Sequence, residues 1–238
     1  MDKNAGEKPR RPFVTICSGM SVDGKISNYK RECSAISSCD DREMLYDHRV
    51  EADAVMIGGN TLRLDDSGLT VKTDERRQKR IALCRTAEPM KIVAISDADD
   101  LNVSGDFFDK GEGKKIVFTT AKTSAGKIKE LEGKATVHVM AGDRVDIEKA
   151  LEILSAAGVK SLLVEGGGEL ISSLLEKDCV DEIDLKIGNL ILGGRNTATL
   201  VDGDGFDALS AKKVEFIKVE QHPNFLILKM RMVKQASV

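Results

Sequence analysis

The fold is decided by the stretch Leu162-Leu163-Val164-Glu165-Gly166-Gly167-Gly168-Glu169-Leu170-Ile171, in which an apolar run ends in a carboxylate and three glycines lead into a helical pattern. This order predicts a buried strand, a tight turn and the start of a helix. Glycines let a ligand approach the backbone closely, and the first amides of a helix, at the positive end of its dipole, favour an anion. A tight strand-to-helix connection without a ligand explains the three glycines equally well.

The composition is that of a soluble globular protein. The 238 residues include 41% hydrophobic and 32% charged residues, which is enough apolar material for one sizeable domain. A formal net charge of −3 argues against a general nucleic-acid or membrane-surface binder. There is no apolar run of membrane-spanning length, and residues 1–12 are polar and charged, unlike a secretory signal. A cytoplasmic protein that binds neither nucleic acid nor membrane is therefore expected.

Cysteine and histidine usage does not indicate a metal site. The five cysteines are scattered and form no C-x-x-C pair, and the three histidines are far apart. Neither a zinc knuckle nor a dithiol redox motif is predicted, and the thiols are expected to be reduced and structural.

Strand-like runs alternate with helical patterns along the chain. Strands are predicted at 13–17, 54–57, 91–95, 115–119 and 183–192, and helices at about 41–50, 123–132, 146–157 and after the three glycines. The polar segment 72–80 is interpreted as an exposed loop, and the β-like runs 214–219 and 225–230 as an antiparallel hairpin. We therefore expect an α/β fold with a mainly parallel central sheet, flanked by helices, and a C-terminal antiparallel hairpin. Residues 1–11 are predicted to be a disordered tail, and 12–238 a single domain.

Three segments follow predicted strands and should meet at one edge of the sheet. They are residues 19–27, 58–66 and 165–168, which carry glycines, hydroxyls, carboxylates and one lysine. Ligands of open α/β sheets bind beyond the carboxyl ends of the strands, so this edge suits a phosphorylated polar molecule together with a nucleotide. Simpler interpretations stay open: Asp23 can form a turn with Gly24, and Thr61 can cap a helix. Glu165, if partly buried, requires a donor from ligand or chain.

Four motifs resemble the pyrimidine reductases of the riboflavin pathway, and they occur in the order found in that family. They are MSVDGKI at 20–26, GGNTLRLDDSGLTV at 58–71, LVEGGG at 163–168, and VDE at 180–182 with LGG at 192–194. The resemblance runs from about residue 12 to residue 232. VDGDGF at 201–206 further resembles the stand-alone archaeal-type members.

The resemblance implies a dihydrofolate-reductase-like fold, a homodimer and the use of NADPH. It implies reduction of the ribosyl group of a pyrimidine ribosylamino 5′-phosphate to a ribityl chain. NADPH would contact Thr61, Asp65, Ser96 and the turn formed by Gly166, Gly167 and Gly168. The substrate would be surrounded by Ser38, Arg49, Leu69, Lys72 and Glu165, with Asp23 and Lys25 close to the reacting centre.

The chain departs from the family pattern in three places. Ser67 stands where proline is usual, Lys72 where many members have arginine, and Gly59-Asn60 replaces a small or apolar pair. A lysine would hold phosphate as a point charge and not as a planar fork. The H-x-E and P-C-x-x-C signature of the zinc deaminase fused to bacterial relatives is absent, so a reductase alone is expected. That absence and the archaeal-like segment favour the diamino form of the substrate.

The hypothesis for the reaction is hydride transfer from NADPH to C1′ of the ring-opened ribose. Lys25 or Lys72 would neutralise the substrate phosphate, and Asp23 or Glu165 would hold the pyrimidine amino groups or assist proton delivery. Reduction of dihydrofolate or another pterin on the same fold is the alternative within the enzymes. A non-catalytic nucleotide-binding protein is the alternative from another class.

Overall fold

The computed structural model of the protein describes residues 11–30 and 41–233. Most of the predicted N-terminal tail lies outside these residues. Arg11 lies within them, and its guanidinium donates two hydrogen bonds to the carboxylate of Asp181, at 2.6 and 2.9 Å. In the described part of the chain, no helix is both long and apolar enough to cross a membrane.

Nine strands and seven helices occur in the described residues. The strands are β1 Phe13–Ser21, β2 Ala54–Gly58, β3 Met90–Ala94, β4 Lys115–Thr120, β5 Thr136–Met140, β6 Ser161–Val164, β7 Glu182–Gly188, β8 Val214–Gln221 and β9 Phe225–Met232. The helices are α1 Asp41–Glu51, α2 Gly59–Asp65, α3 Asp74–Ala82, α4 Asp106–Asp109, α5 Ala125–Glu132, α6 Ile147–Ala156 and α7 Gly168–Glu176.

All nine strands form one sheet in the order β5-β4-β3-β2-β6-β1-β7-β9-β8. The first seven strands in this order are parallel to one another, and β9 pairs antiparallel with both β7 and β8. The predicted α/β class, the mainly parallel sheet and the C-terminal antiparallel hairpin are therefore confirmed. Because β6 lies between β2 and β1, the carboxyl ends of these three strands are adjacent.

Apolar side chains cover both faces of the sheet. On one face, Val14 and Ile16 of β1 pack in a cluster with α6 and α7, and on the other, Cys17 belongs to a second cluster under α1 and α2. Helix α6 contributes the predicted stripe, and all four of its members are buried: Ile147, Ala150, Leu151 and Leu154. Each fully buried aliphatic side chain of this kind contributes roughly 1.5–3 kcal/mol to folding. The helices on both faces hold the strand ends in place.

The interpretation of residues 72–80 as an exposed loop is wrong, because α3 begins at Asp74 and Arg80 is fully buried. Thr73 caps the helix by accepting a hydrogen bond from the main-chain N–H of Arg76. This helix start was missed because the segment is strongly polar. The Arg80 guanidinium donates to main-chain carbonyls at the end of α1, those of Arg49, Val50 and Ala52. A buried arginine is tolerated here because the chain supplies these acceptors.

Two other predictions differ from the structure. The edge strand β5 was not predicted, because its half-exposed sequence TVHVM has no continuous apolar run. The predicted strand 183–192 ends at Gly188, and the rest of that segment leaves the sheet.

Candidate active site

A cleft of about 1650 Å³ lies at the carboxyl ends of β1, β2, β3 and β6. It brings together ten of the predicted site residues, drawn from segments far apart in sequence. They are Arg49, Thr61, Asp65, Leu69, Lys72, Ser96, Glu165, Gly166, Gly167 and Gly168. The edge of the sheet predicted from the sequence is thus the edge at which the cleft opens.

The centre of the cleft contains a buried ion pair between Arg49 and Glu165. Arg49 Nε and Nη2 donate to the two Glu165 carboxylate oxygens at 2.5 and 2.6 Å, and both side chains are only 6% exposed. Burial would lower the pKa of Arg49, but the charge and the hydrogen bonds of Glu165, together with Tyr46 and Cys17, outweigh burial, so the pKa is raised. The donor that a buried Glu165 requires is therefore supplied by the chain, in the two-pronged geometry that suits arginine.

The first two glycines of the turn after β6 are required by backbone conformation. Gly166 and Gly167 have φ values of +131° and +94°, which other residues rarely adopt. The carbonyl of Gly166 accepts a hydrogen bond from the N–H of Gly58 at 3.2 Å. A Cβ on Gly167 would lie 3.1 Å from Thr61 Oγ1, whereas one on Gly166 would meet nothing within 4 Å. The turn therefore packs closely on α2 and leaves its Gly166 side open.

The third glycine is required by packing within the chain. A Cβ on Gly168 would lie 2.4 Å from Asp202 Oδ2 and 2.6 Å from the carbonyl oxygen of Thr199. Gly168 also accepts a hydrogen bond from the N–H of Asp202 at 3.2 Å. Helix α7 begins at this residue, and its N-cap residue, Gly167, has no side chain with which to cap it. A ligand can therefore approach the turn at Gly166, but the space at Gly168 is occupied by the chain.

Thr61, Asp65 and Ser96 line the same cleft from two neighbouring strand ends. Thr61 is the third residue of α2, and the N-cap of that helix is Gly58, so the possible role of Thr61 as a helix cap is wrong. Asp65 ends α2 and is exposed. Ser96 follows β3, and its carbonyl accepts a hydrogen bond from Thr120 Oγ1 at 2.6 Å. The hydroxyl of Thr61 faces the glycine turn, since its Oγ1 lies close to Gly167.

Asp23 and Lys25 do not belong to the lining of the cleft. Asp23 accepts hydrogen bonds from Ser21 Oγ at 2.6 Å and from the N–H groups of Leu192 and Gly193 at 3.0 and 2.7 Å. These donors, the Ser21 hydroxyl foremost, lower the pKa of Asp23 to about 2. Lys25 Nζ approaches the carbonyl oxygen of Thr197, which does line the cleft, at 3.4 Å. Both residues thus contact loop segments beside the cleft.

The predicted substrate residues Leu69 and Lys72 differ in burial but share an unusual backbone conformation. Leu69 is buried and Lys72 is exposed, and both have left-handed backbone conformations, with φ values of +46° and +76°. A non-glycine residue in this region costs roughly 1–2 kcal/mol, so the surrounding structure must hold the segment. Ser38 lies outside the described residues.

The sequence analysis missed one wall of the cleft. It is formed by Lys186 of β7 and by a loop segment, Arg195, Asn196, Thr197, Ala198, Thr199 and Asp202. Lys186 is only 6% exposed, lies beside Gly19 in the sheet, and has its Nζ 3.9 Å from the centre of the Phe225 ring. Alternation of Ile183, Leu185 and Ile187 on the opposite face was the signal that could have placed Lys186 on the cleft side.

Most of the chain is similar in sequence to known proteins. The family model of the RibD C-terminal domain matches residues 12–228. A 2,5-diamino-6-ribosylamino-4(3H)-pyrimidinone 5′-phosphate reductase from Archaeoglobus fulgidus is 36% identical over 211 residues, which cover 89% of this chain and 94% of the relative. A protein of the same name from Aquifex aeolicus is 36% identical over 221 residues, covering 89% and 91% of the two chains.

Solved structures share the fold. A pyrimidine reductase-like protein from Corynebacterium diphtheriae superposes with a TM-score of 0.81 at 20% identity, over 94% of this chain and 93% of that one. A deaminase/reductase from Thermotoga maritima superposes with a TM-score of 0.73 at 23% identity, where 94% of this chain covers 57% of the longer protein. The resemblance in sequence, the sheet topology and the matched residues lead to one conclusion: this chain belongs to the RibD C-terminal domain family.

Proposed function

We propose that this protein is an NADPH-dependent reductase of riboflavin biosynthesis. It reduces the ribosyl group of a ribosylamino-pyrimidine 5′-phosphate, in the diamino form, to a ribityl chain. The observation that carries the proposal is the convergence of Thr61, the glycine turn and the Arg49–Glu165 pair on one cleft. The names of the Archaeoglobus and Aquifex relatives support the same reaction and the diamino substrate.

The described residues fit a dinucleotide at the glycine turn. Gly166 leaves open space beside the turn, and the Thr61 hydroxyl lies close to Gly167. The first main-chain N–H groups of α7, for which Gly167 provides no side-chain cap, directly follow the turn. We assign Thr61, Asp65, Ser96 and the turn to NADPH on these grounds. When bound, NADPH supplies the hydride, and the task of the chain is to orient the two ligands and exclude water.

The substrate half of the cleft is assigned to Arg49, Glu165, Leu69 and Lys72. Glu165 pairs with Arg49 through both carboxylate oxygens, and we assign these oxygens the role of accepting hydrogen bonds from the pyrimidine amino groups. Lys72 is exposed in the cleft and forms no ion pair with the described residues. We therefore propose Lys72, ahead of Lys25, as the ligand of the substrate phosphate.

Asp23 takes a different role in this proposal. With a pKa of about 2 it is ionised at neutral pH and cannot act as a proton donor. Through Leu192 and Gly193 it holds the start of the loop that continues into the cleft wall at Arg195–Thr199. We propose that Asp23 and Lys25 shape that wall.

A homodimer formed through the C-terminal hairpin is also proposed. The outermost strand β8 exposes Phe216, Ile217 and Val219, which are 62%, 41% and 60% exposed. An apolar edge strand of this kind pairs readily with another chain, and a second copy offers the same surface. The cytoplasmic location stays a prediction from the sequence.

The test of function is a reductase assay with the diamino and the deaminated pyrimidine phosphates, each with NADPH and with NADH. We expect substrate-dependent oxidation of NADPH, fastest with the diamino compound. Oxidation that requires dihydrofolate or another pterin would replace the proposal by a pterin reductase. Tight NADPH binding without oxidation by any of these compounds would indicate a non-catalytic nucleotide-binding protein.

A further inference from the structure

The peptide group between Thr70 and Val71 is held at both of its polar atoms. Its carbonyl oxygen accepts a hydrogen bond from Arg49 Nη1 at 2.7 Å. Its N–H donates to Glu88 Oε2 at 2.9 Å. This peptide lies between Leu69 and Lys72, the two left-handed residues that line the substrate half of the cleft.

Glu88 itself is fixed from several sides. It is only 4% exposed, and its Oε1 accepts a hydrogen bond from Arg77 Nε at 2.8 Å. Its main-chain carbonyl accepts one from Thr86 Oγ1 at 2.6 Å. Across from it, a Cβ on Gly111 would lie 2.9 Å from Thr70 Cγ2 and 3.5 Å from Glu88 Cγ. The Glu88 carboxylate therefore occupies a close-packed site against the loop formed by residues 69–72.

Glu88 is buried and is not among the residues that line the cleft, so we assign it no direct contact with a substrate. Its contact with the loop lies one residue from Lys72 and two from Leu69. Without the bond to Glu88, the buried N–H of Val71 would lack an acceptor, and the left-handed residues on either side would relax toward ordinary conformations.

We propose that Glu88 is a positioning residue for the substrate. It fixes the Thr70–Val71 peptide from behind, so that Leu69 and Lys72 meet the pyrimidine phosphate in one geometry. The assignment of the loop to the substrate rests on the proposed function, whereas the control of the loop by Glu88 can be tested without activity.

The kinetic test compares Glu88→Ala with Glu88→Gln. Loss of a hydrogen bond to a charged group predicts about a tenfold rise in KM for the pyrimidine phosphate in Glu88→Ala, with KM for NADPH changed by less than about twofold. Glu88→Gln keeps an oxygen acceptor for the Val71 N–H, so its KM for the pyrimidine phosphate should lie between that of the wild type and that of Glu88→Ala. In a Lys72→Ala background, Glu88→Ala should raise this KM by a smaller factor, because the contact through Lys72 is already lost and only the contact through Leu69 remains.

Asp181→Ala is the matched control. Asp181 also accepts a hydrogen bond from a main-chain N–H, that of Val14, and pairs with an arginine, Arg11, but it directly precedes β7 and is not among the residues that line the cleft. This variant should lose stability without raising either KM. If Glu88→Ala raises both KM values equally, or acts undiminished in the Lys72→Ala background, the positioning role is wrong.

Amide hydrogen exchange provides the readout that is independent of activity. Exchange at residues 69–73 should accelerate in Glu88→Ala and, to a smaller degree, in the more conservative Glu88→Gln, but not in Asp181→Ala. Unchanged exchange in both Glu88 variants would overturn the inference even if the reductase is active. Failure of the wild-type protein to oxidise NADPH with either pyrimidine phosphate would overturn the proposed function, while accelerated exchange would still support control of the loop by Glu88.

Discussion

Arg49 and Glu165 are separated by more than a hundred residues, yet their side chains form one planar ion pair inside the cleft. Arg49 also donates to the carbonyl of Thr70, so the same guanidinium joins α1, the turn after β6 and the loop formed by residues 69–72. A buried pair of this kind contributes less to net stability than its short distances suggest, because both charges are desolvated. Removal of one partner leaves the other charge buried and uncompensated.

Glu165→Gln should therefore lower both stability and activity. We expect a loss of about 3 kcal/mol in the free energy of unfolding, measured in urea. We also expect kcat/KM for the pyrimidine phosphate to fall at least about tenfold, because a neutral amide orients Arg49 and the amino groups less well. Arg49→Lys is the matched variant, since it keeps the charge but loses the planar fork. Unchanged turnover in Glu165→Gln would remove Glu165 from the substrate site.

Asp23→Asn should reveal a pH-dependent contribution to stability. The folded-state pKa of about 2 lies below the ordinary value of 3.8, so the ionised carboxylate stabilises the fold above that value. The stabilisation is lost as the pH falls toward 2. In urea unfolding between about pH 3 and pH 7, the variant should be less stable at neutral pH, and the difference should shrink in acid. A difference that stays constant over this range would contradict the assigned pKa.

At the scale of elements, one turn serves both the chain and the proposed cofactor site. The connection from β6 to α7 uses Gly166 and Gly167 for their positive φ values and Gly168 to admit Asp202. The N-cap residue of α7, Gly167, provides no side-chain cap. Gly168 is thus explained by packing within the chain, as a connection without a ligand would require, whereas Gly166 leaves the cleft side of the turn accessible.

Gly167→Ala separates these two roles. A Cβ at this position combines a left-handed conformation with a 3.1 Å approach to Thr61 Oγ1. We expect a destabilisation of roughly 1–2 kcal/mol from the backbone, together with a higher KM for NADPH. Gly158→Ala is the matched control, because Gly158 has φ +88°, no neighbour within 4 Å of a Cβ, and a place outside the cleft. It should cost similar stability, measured by urea unfolding, and leave KM for NADPH unchanged; an equal KM increase in both variants would contradict the cofactor assignment.

At the scale of the whole molecule, strand order creates the site. Insertion of β6 between β2 and β1 places residues from the ends of three strands around one cleft. The antiparallel pair β9 and β8 extends the sheet on the far side of β7 and leaves β8 as an outer strand. One end of the molecule therefore carries the cleft, and one edge carries exposed apolar side chains.

Phe216→Asp should dissociate the proposed homodimer. Phe216 is 62% exposed on β8, so a charge there costs little in the folded chain but opposes burial against a second copy. Light scattering after size-exclusion chromatography should show a dimer for the wild type and a monomer for the variant. Leu209→Asp is the control, because Leu209 is 90% exposed and lies outside the sheet. A wild-type monomer, or a dimer unaffected by Phe216→Asp, would show that β8 is not the interface.

The sequence by itself determined the elements whose signal is local. The stripe from Ile147 to Leu154, the apolar strand runs and the glycine turn were predictable because periodicity and backbone preference act over a few residues. From these, the α/β class, the parallel sheet and the edge carrying the cleft followed. Ten of the proposed site residues meet at that edge. Seven of them lie in the motifs that carry the family resemblance and Lys72 directly follows one, whereas Arg49 and Ser96 lie outside the motifs.

Only the tertiary structure decided which partners the polar side chains have. Arg80 is found buried against the end of α1, and Asp23 accepts hydrogen bonds from the main-chain N–H groups of Leu192 and Gly193. The physical reason is that the partner of a charged side chain is not encoded by a regular spacing in the sequence, as the buried face of a helix or strand is. The surroundings of a charged side chain depend on which strands become neighbours, and that order is set by the packing of the whole sheet.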